Sequence, residues 1–190
     1  MKRQLIASLV ILAPMAFVVS LTLAAQEDGS PRSGNGIALS EFKGYESWQV
    51  IATSVAGNDG CGTSTVGCMK AIVGNPVMIK AYRDGIPENG KPVPDGAAMA
   101  KIEWLKESDP NAPYEVTVPG ANTEVGFMVK DSKRFPDTDG WGYATFQPVG
   151  QSAAFKAKTN DPTVAKTLCH SCHTTGASAR DFVYTHYAAR

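Results

Sequence analysis

The stretch AAMAKIEWLK, residues 97–106, decides the fold because its side chains alternate in character along the chain. In an extended chain, Ile102 and Trp104 fall on one side, whereas Lys101 and Glu103 fall on the other. A period of two predicts a strand with one apolar face and one face of mixed character. From the alternation alone, Lys101 and Glu103 are expected to lie on the solvent-exposed face.

Runs of strand-like residues lie on both sides of this stretch, separated by turn signals rich in Gly, Pro, Asn and Asp. The further predicted strands are WQVIATSVA (48–56), MKAIVGN (69–75), PVMIKAYRDG (76–85), NTEVGFMVKD (122–131) and GWGYATFQ (140–147).

Helical signals lie at the two ends of this region. A short helix or turn is expected around Tyr45 and Trp48. From residue 161 the pattern DPTVAKTLCHSCH is helical, with Asp161 as the predicted N-cap and Pro162 at the first helical position. The sequence therefore predicts an α+β fold, in which helices at the chain ends flank an antiparallel sheet.

The first residues have the pattern of an export signal. A short basic start, MKRQ, precedes the apolar run LIASLVILAPMAFVVSLTL and the small residues AA. This order predicts a signal peptide over residues 1–25, with an uncleaved membrane anchor as the alternative. Residues 26–40, rich in Gly, Ser and Pro, are expected to form a flexible lead-in, and residues 41–190 one domain. The predicted location is the periplasm.

The 190-residue chain carries 18 Lys and Arg against 18 Asp and Glu. A nucleic-acid partner usually requires a basic surplus, so none is expected.

The motif CHSCH, residues 169–173, predicts covalent attachment of haem c on the C-terminal helical segment. Cys169 and Cys172 are spaced to form thioethers with the two vinyl groups of one haem. His173, one helical turn from Cys169, is the expected iron ligand. His170 is interpreted as a spacer. A zinc site or a redox disulfide fits the spacing less well, and a disulfide between Cys61 and Cys68 is expected because export favours oxidation.

The sequence does not decide whether a second side chain binds the iron on the side opposite His173. An electron-transfer haem usually has a second protein ligand. Each candidate lies in an apolar or aromatic segment in which core packing is the simpler interpretation. The candidates are Met69, Met78, Met99, Met128 and His186.

Several blocks of the chain together resemble the cytochrome P-460 family, which includes cytochrome c′-β. The resemblance spans roughly residues 41 to 188. It implies an antiparallel sheet with helices at its ends, usually in a homodimer, and a haem with histidine on one side and an open site on the other. The blocks are YESWQV (45–50), MKAIVGN (69–75), IKAYRDG (79–85), PDGAAMAKIEW (94–104), FMVKDSKRF (127–135), GWGYATF (140–146), CHSCH (169–173) and RDFVYTHY (180–187).

The family resemblance implies two functions that differ at one lysine. In cytochrome P-460 a lysine is bonded to a haem carbon and the enzyme oxidises hydroxylamine, whereas cytochrome c′-β lacks the bond and binds gases such as nitric oxide. The matching lysine is Lys101. The predicted activity is binding and oxidation of hydroxylamine or a related small nitrogen compound, with a soluble acceptor cytochrome as partner. Gas binding without turnover and simple electron transfer are the alternatives.

The chain departs from the family pattern at two positions. Hydroxylamine-oxidising members carry a carboxylate where this sequence has Gly126. Glu124, two residues earlier and on the same face of the strand, is the candidate replacement as proton acceptor. Lys70 stands where members often have arginine, and lysine keeps the charge without the bidentate geometry.

Overall fold

The computed structural model describes residues 29–57, 66–150 and 152–188. A six-stranded antiparallel sheet forms its centre, and the strands neighbour one another in chain order. The strands are β1 Gln49–Ala56, β2 Cys68–Gly74, β3 Ala98–Ser108, β4 Thr117–Lys130, β5 Trp141–Pro148 and β6 Phe155–Ala157. The predicted antiparallel sheet is confirmed, whereas the short strand β6 was not predicted.

One face of the sheet carries the main apolar core. The 3₁₀-helices Leu39–Phe42 and Tyr45–Ser47 cover this face. The ring of Phe42 stacks on Phe127, with centroids 4.0 Å apart. The predicted alternation is confirmed for Lys101 and Ile102, because Ile102 packs on this core and Lys101 lies on the other side of the sheet. The strand register shifts on either side of Trp104, so the alternation is not regular beyond that point.

A second apolar cluster lies on the opposite face, where α1 Pro76–Arg83 packs. The prediction of a strand over residues 76–85 is therefore wrong. Asn75 caps the helix, since its side chain accepts a hydrogen bond from Met78 N at 2.9 Å. Pro76 at the first helical position favours the helix. The buried residues of α1 follow a helical period.

The C-terminal helical segment begins later than the sequence predicts. Asp161 accepts a hydrogen bond from Thr163 N at 2.8 Å within a turn. A π-helical segment, Ala165–His170, then leads into α2, Ser171–Ala177, and a 3₁₀ turn at Ser178–Arg180. The residues of the CHSCH motif therefore lie across a π-to-α junction.

The described part of the predicted lead-in contributes to the folded domain. Arg32 and Ala38 form an isolated β-bridge, and Ile37 is fully buried in the main core. The predicted signal peptide lies outside the described residues. Within the described ranges, none of the helices has the length and apolar character that crossing a membrane requires.

Candidate cofactor site

Two rows of side chains cross the sheet on the face opposite the main core. They come from paired positions on adjacent strands, so each row is set by the strand register. The first row is Met99, Met128 and Tyr143. The second row, two residues further along the strands, is Ile72, Lys101, Gly126 and Thr145.

A cavity of about 380 Å³ lies between these rows and the C-terminal helical segment. Cys169, Cys172 and His173 contribute to its wall, opposite the sheet. The aliphatic and thioether side chains of Ile72, Met99 and Met128 make part of the wall apolar. The other lining residues are Lys101, Gly126, Phe127, Tyr143, Ala144, Thr145, Tyr184 and Thr185.

His173 is held in one tautomer by the backbone. Its Nδ1 lies 2.6 Å from the carbonyl oxygen of Phe182, so Nδ1 carries the proton and donates it. Burial lowers the pKa of His173 and outweighs that hydrogen bond, which acts in the opposite direction. The ring is therefore neutral at neutral pH with a lone pair on Nε2, the form that binds metals.

The two cysteines of the motif are free thiols at i and i+3 of a helical segment, which places them on one side of it. Burial raises the pKa of the Cys169 thiol. Cys68 by contrast is disulfide-bonded. Its predicted partner, Cys61, lies outside the described residues.

These residues fit a haem c group. Two free thiols and an imidazole with an available Nε2 line one cavity, and the facing wall is partly apolar. Such a donor set suits two thioether bonds and one axial ligand. Gly176 fits the same arrangement, because a Cβ there would lie only 2.3 Å from the Tyr184 hydroxyl oxygen, and Tyr184 lines the cavity.

Charged side chains continue the cavity face beyond the Lys101 row. Lys101 Nζ lies 3.3 Å from Glu124 and 3.8 Å from Glu103. Glu124 also accepts a 2.5 Å hydrogen bond from Lys158, and Lys70 lies 3.4 Å from Glu103. Burial raises the pKa of Glu124, but the hydrogen bond from Lys158 and the charge of Lys101 outweigh it, so its pKa lies below the usual value. Glu124 is therefore ionised, and it lies beside the cavity lining.

Gly126 pairs with Lys101 in the second row and leaves space above it. A Cβ at Gly126 would lie 3.7 Å from Lys101 Cε and 3.8 Å from Thr145 Oγ1, which are ordinary contact distances. At the position where the family resemblance implies a carboxylate, this chain therefore has open volume above Gly126. Thr145 adds a hydroxyl group to the lining, which the sequence analysis did not single out.

His170 is more than a spacer in the motif. It is buried, with Nδ1 3.2 Å from the Tyr143 hydroxyl and Nε2 3.0 Å from the Asp139 carboxylate. Its ring lies against Phe182, with centroids 4.7 Å apart. These contacts fasten the motif to β5 and to the turn before it, and no local sequence pattern indicates them.

Of the residues considered as a second iron ligand, Met99 and Met128 line the cavity. Met78 is buried in the second core cluster instead. The Met99 sulfur lies 3.9 Å from the Tyr82 hydroxyl, which donates its hydrogen to the Thr185 carbonyl oxygen at 2.7 Å. His186 is exposed and pairs with Glu88 at 2.9 Å.

The cytochrome P460 family model matches residues 42–185 and covers the whole sheet and the cysteine motif. The chain belongs to this family. A search of curated proteins found no significant match. Members of the family bind haem c, which agrees with the thiols and imidazole that line the cavity. The matched segment also includes Lys101, Glu124 and Gly126.

Proposed function

We propose that the protein is an exported mono-haem c-type cytochrome that binds and oxidises hydroxylamine or a related small nitrogen compound. The observation that carries this proposal is the position of Lys101. Its side chain lines the same cavity as Cys169, Cys172 and His173, although at least 68 residues separate it from them in sequence. The family resemblance implies that Lys101 matches the family's lysine.

The chain's own residues would hold the haem in three ways. Cys169 and Cys172 would form the thioether bonds, and His173 would supply Nε2 as the iron ligand. Ile72 and the two methionines of the first row would exclude water from the haem face. Haem iron, when bound, supplies the site that takes the substrate nitrogen and accepts its electrons.

The order of the rows supports an open site near Lys101. The Tyr143 ring lies against His173, with centroids 5.1 Å apart, so the first row is on the histidine side. The second row is about 7 Å further along the strands. Space for a small ligand therefore falls beside Lys101, Gly126 and Thr145.

Lys101 is also the candidate for the family's covalent bond to a haem carbon. Forming that bond removes one hydrogen from Nζ and one from carbon, and an oxidant of the peroxide class would take the two electrons. Lys101 Nζ would first have to leave Glu124 and Glu103.

Glu124 is the proposed acceptor for substrate protons, although its lowered pKa makes it a weak base. Each oxidation step would release an electron to a soluble acceptor cytochrome. The periplasm and a homodimer are proposed as the setting and the assembly.

Nitric oxide binding without turnover is the second candidate. It is favoured by Gly126, which offers no base, and by the ion pair between Lys101 and Glu124. Neither feature impedes the entry of a small neutral ligand.

One experiment separates these functions. The ferrous absorption spectrum and turnover of hydroxylamine with an added electron acceptor are measured for the holoprotein, for Lys101→Arg and for the control Lys106→Arg. For the unsubstituted holoprotein we expect turnover and a Soret band shifted to longer wavelength, towards the value in the family's name. Lys101→Arg should lose both properties, and Lys106→Arg should keep both. An ordinary high-spin spectrum with nitric oxide binding and no turnover would support the second candidate instead.

A further inference from the structure

The turn that follows the haem motif has an unusual backbone. Asp181 and Phe182 have φ values of 46° and 65°, in the left-handed region. Residues other than glycine rarely adopt this conformation, and a bulky side chain such as that of Phe182 adopts it least readily. Two such residues in succession persist only where surrounding contacts hold them, and such strain is often found at functional sites.

The contacts that hold this turn converge on Asp181. Lys130 Nζ donates to the two carboxylate oxygens at 2.9 and 3.0 Å, and the Val93 N–H donates at 2.8 Å. The side chains of Lys130 and Asp181 are only 6% and 13% exposed, so solvent screens the pair weakly. Trp141 Nε1 also donates to the Asp181 carbonyl oxygen at 2.9 Å.

The next residue, Phe182, carries the functional contact. Its N–H donates to the Ala177 carbonyl oxygen at 2.8 Å, and its own carbonyl oxygen accepts from His173 Nδ1 at 2.6 Å. The direction of that carbonyl depends on the φ values of the turn. The acceptor that fixes the tautomer of His173 is therefore held through Asp181.

We propose that Asp181, held by Lys130, is a positioning residue for His173. The pair keeps the Phe182 carbonyl within hydrogen-bonding distance of Nδ1 and so sets the orientation and electron donation of the imidazole. Hydrogen bonds to the second ring nitrogen raise the basicity of a histidine ligand and tune the metal's potential. The inference rests on the proposed ligation of haem iron by His173.

The test compares three variants of the haem-loaded protein with the unsubstituted form. Lys130→Met removes the cation and keeps most of the length of the side chain. Lys130→Met combined with Asp181→Asn removes both charges, and asparagine tolerates the left-handed conformation. This double variant leaves no unpaired buried charge, so it keeps the test valid if the single variant fails to fold. Lys133→Met is the control, because Lys133 is exposed and only three residues away.

The measurements are the iron–histidine stretching band in the ferrous Raman spectrum and the midpoint reduction potential. In the double variant we expect the iron–histidine band at lower frequency and a more positive reduction potential. Lys130→Met should show the same changes where it folds, and Lys133→Met should show neither. A band and potential that stay at the unsubstituted values in the folded double variant would overturn the positioning role alone. An unchanged band in a His173→Ala variant would overturn the ligation by His173, on which the role depends.

Discussion

The two faces of the sheet differ in how their side chains are arranged. The core face is apolar along its length, and Phe42, Phe127 and Phe146 form a buried aromatic cluster on it. The cavity face changes from apolar residues, through the Lys101 row, to the charged pairs around Glu124. The comparison indicates that close packing determines the residues of the core face. On the cavity face, the change from apolar to charged residues is suited to a binding site.

The largest expected effect comes from removing an aromatic ring from the core face. Phe127 is 2% exposed, so Phe127→Ala should lower the free energy of unfolding by about 3–5 kcal/mol. The adjacent Met128 faces the cavity and not the core, where the proposed haem would cover it in place of packed side chains, so Met128→Ala should cost less than about 2 kcal/mol. Urea denaturation of the two holoprotein variants measures the difference. Equal losses would contradict the division between the faces.

Placing a carboxylate in the open volume of the cavity face should raise activity without affecting the core face. Gly126→Glu has room for its Cβ and brings a base to the row of Lys101. A positioned general base contributes at least about 10²-fold to a rate, so hydroxylamine turnover should rise by about that factor. Gly126→Gln is the matched control without a base. The idea fails if Gly126→Gln gives the same turnover as Gly126→Glu.

Breaking the link between the haem motif and β5 should have an intermediate effect. His170→Phe keeps a ring against Phe182 but removes the hydrogen bonds to Tyr143 and Asp139. We expect a loss of about 1–2 kcal/mol in the free energy of unfolding, because the buried Tyr143 hydroxyl loses its partner. Thermal or urea unfolding measures the loss. His186→Phe, at an exposed position, should be close to neutral, and a loss of the same size there would contradict the interpretation.

The smallest expected effect concerns the charged end of the cavity face. The pKa of Glu124 is lowered in the folded protein, so its contribution to stability is present at neutral pH and is lost as the pH falls through that lowered pKa. Lys158→Met should raise that pKa and reduce the acid-sensitive part of the stability by about 0.5–1 kcal/mol, because Lys158 is half-exposed.

Unfolding free energies at neutral and acidic pH measure this change. Lys156→Met, at an exposed position two residues earlier, is the control. An unchanged pH dependence in Lys158→Met would show that the pair contributes nothing.

Much of the sheet could be predicted because the alternation in residues 97–106 reports which side chains share a face of the strand. The same reasoning failed for α1, since Ile79 and Tyr82 suit a strand and only Asn75-Pro76 signals the helix start. The local composition therefore predicted a strand, whereas the capping residue Asn75 determines that the segment is helical.

The residues proposed for the site could be named from the sequence, whereas their surroundings could be predicted only in part. Spacing, together with the predicted export signal, indicated Cys169, Cys172 and His173. Alternation placed Lys101 on the face opposite Ile102, and only the family resemblance implied that this lysine faces the haem. The contacts of His170 and Asp181 involve partners far away in the sequence, so no local pattern could reveal them.

The most direct test is the mass of the denatured protein after expression with a c-type haem maturation system. We expect one haem to stay covalently attached through denaturation, and the replacement of both Cys169 and Cys172 with serine to abolish the attachment. A mature chain without haem, or a haem that separates on denaturation, would show that the cavity between the sheet and the C-terminal helices is not a haem c site.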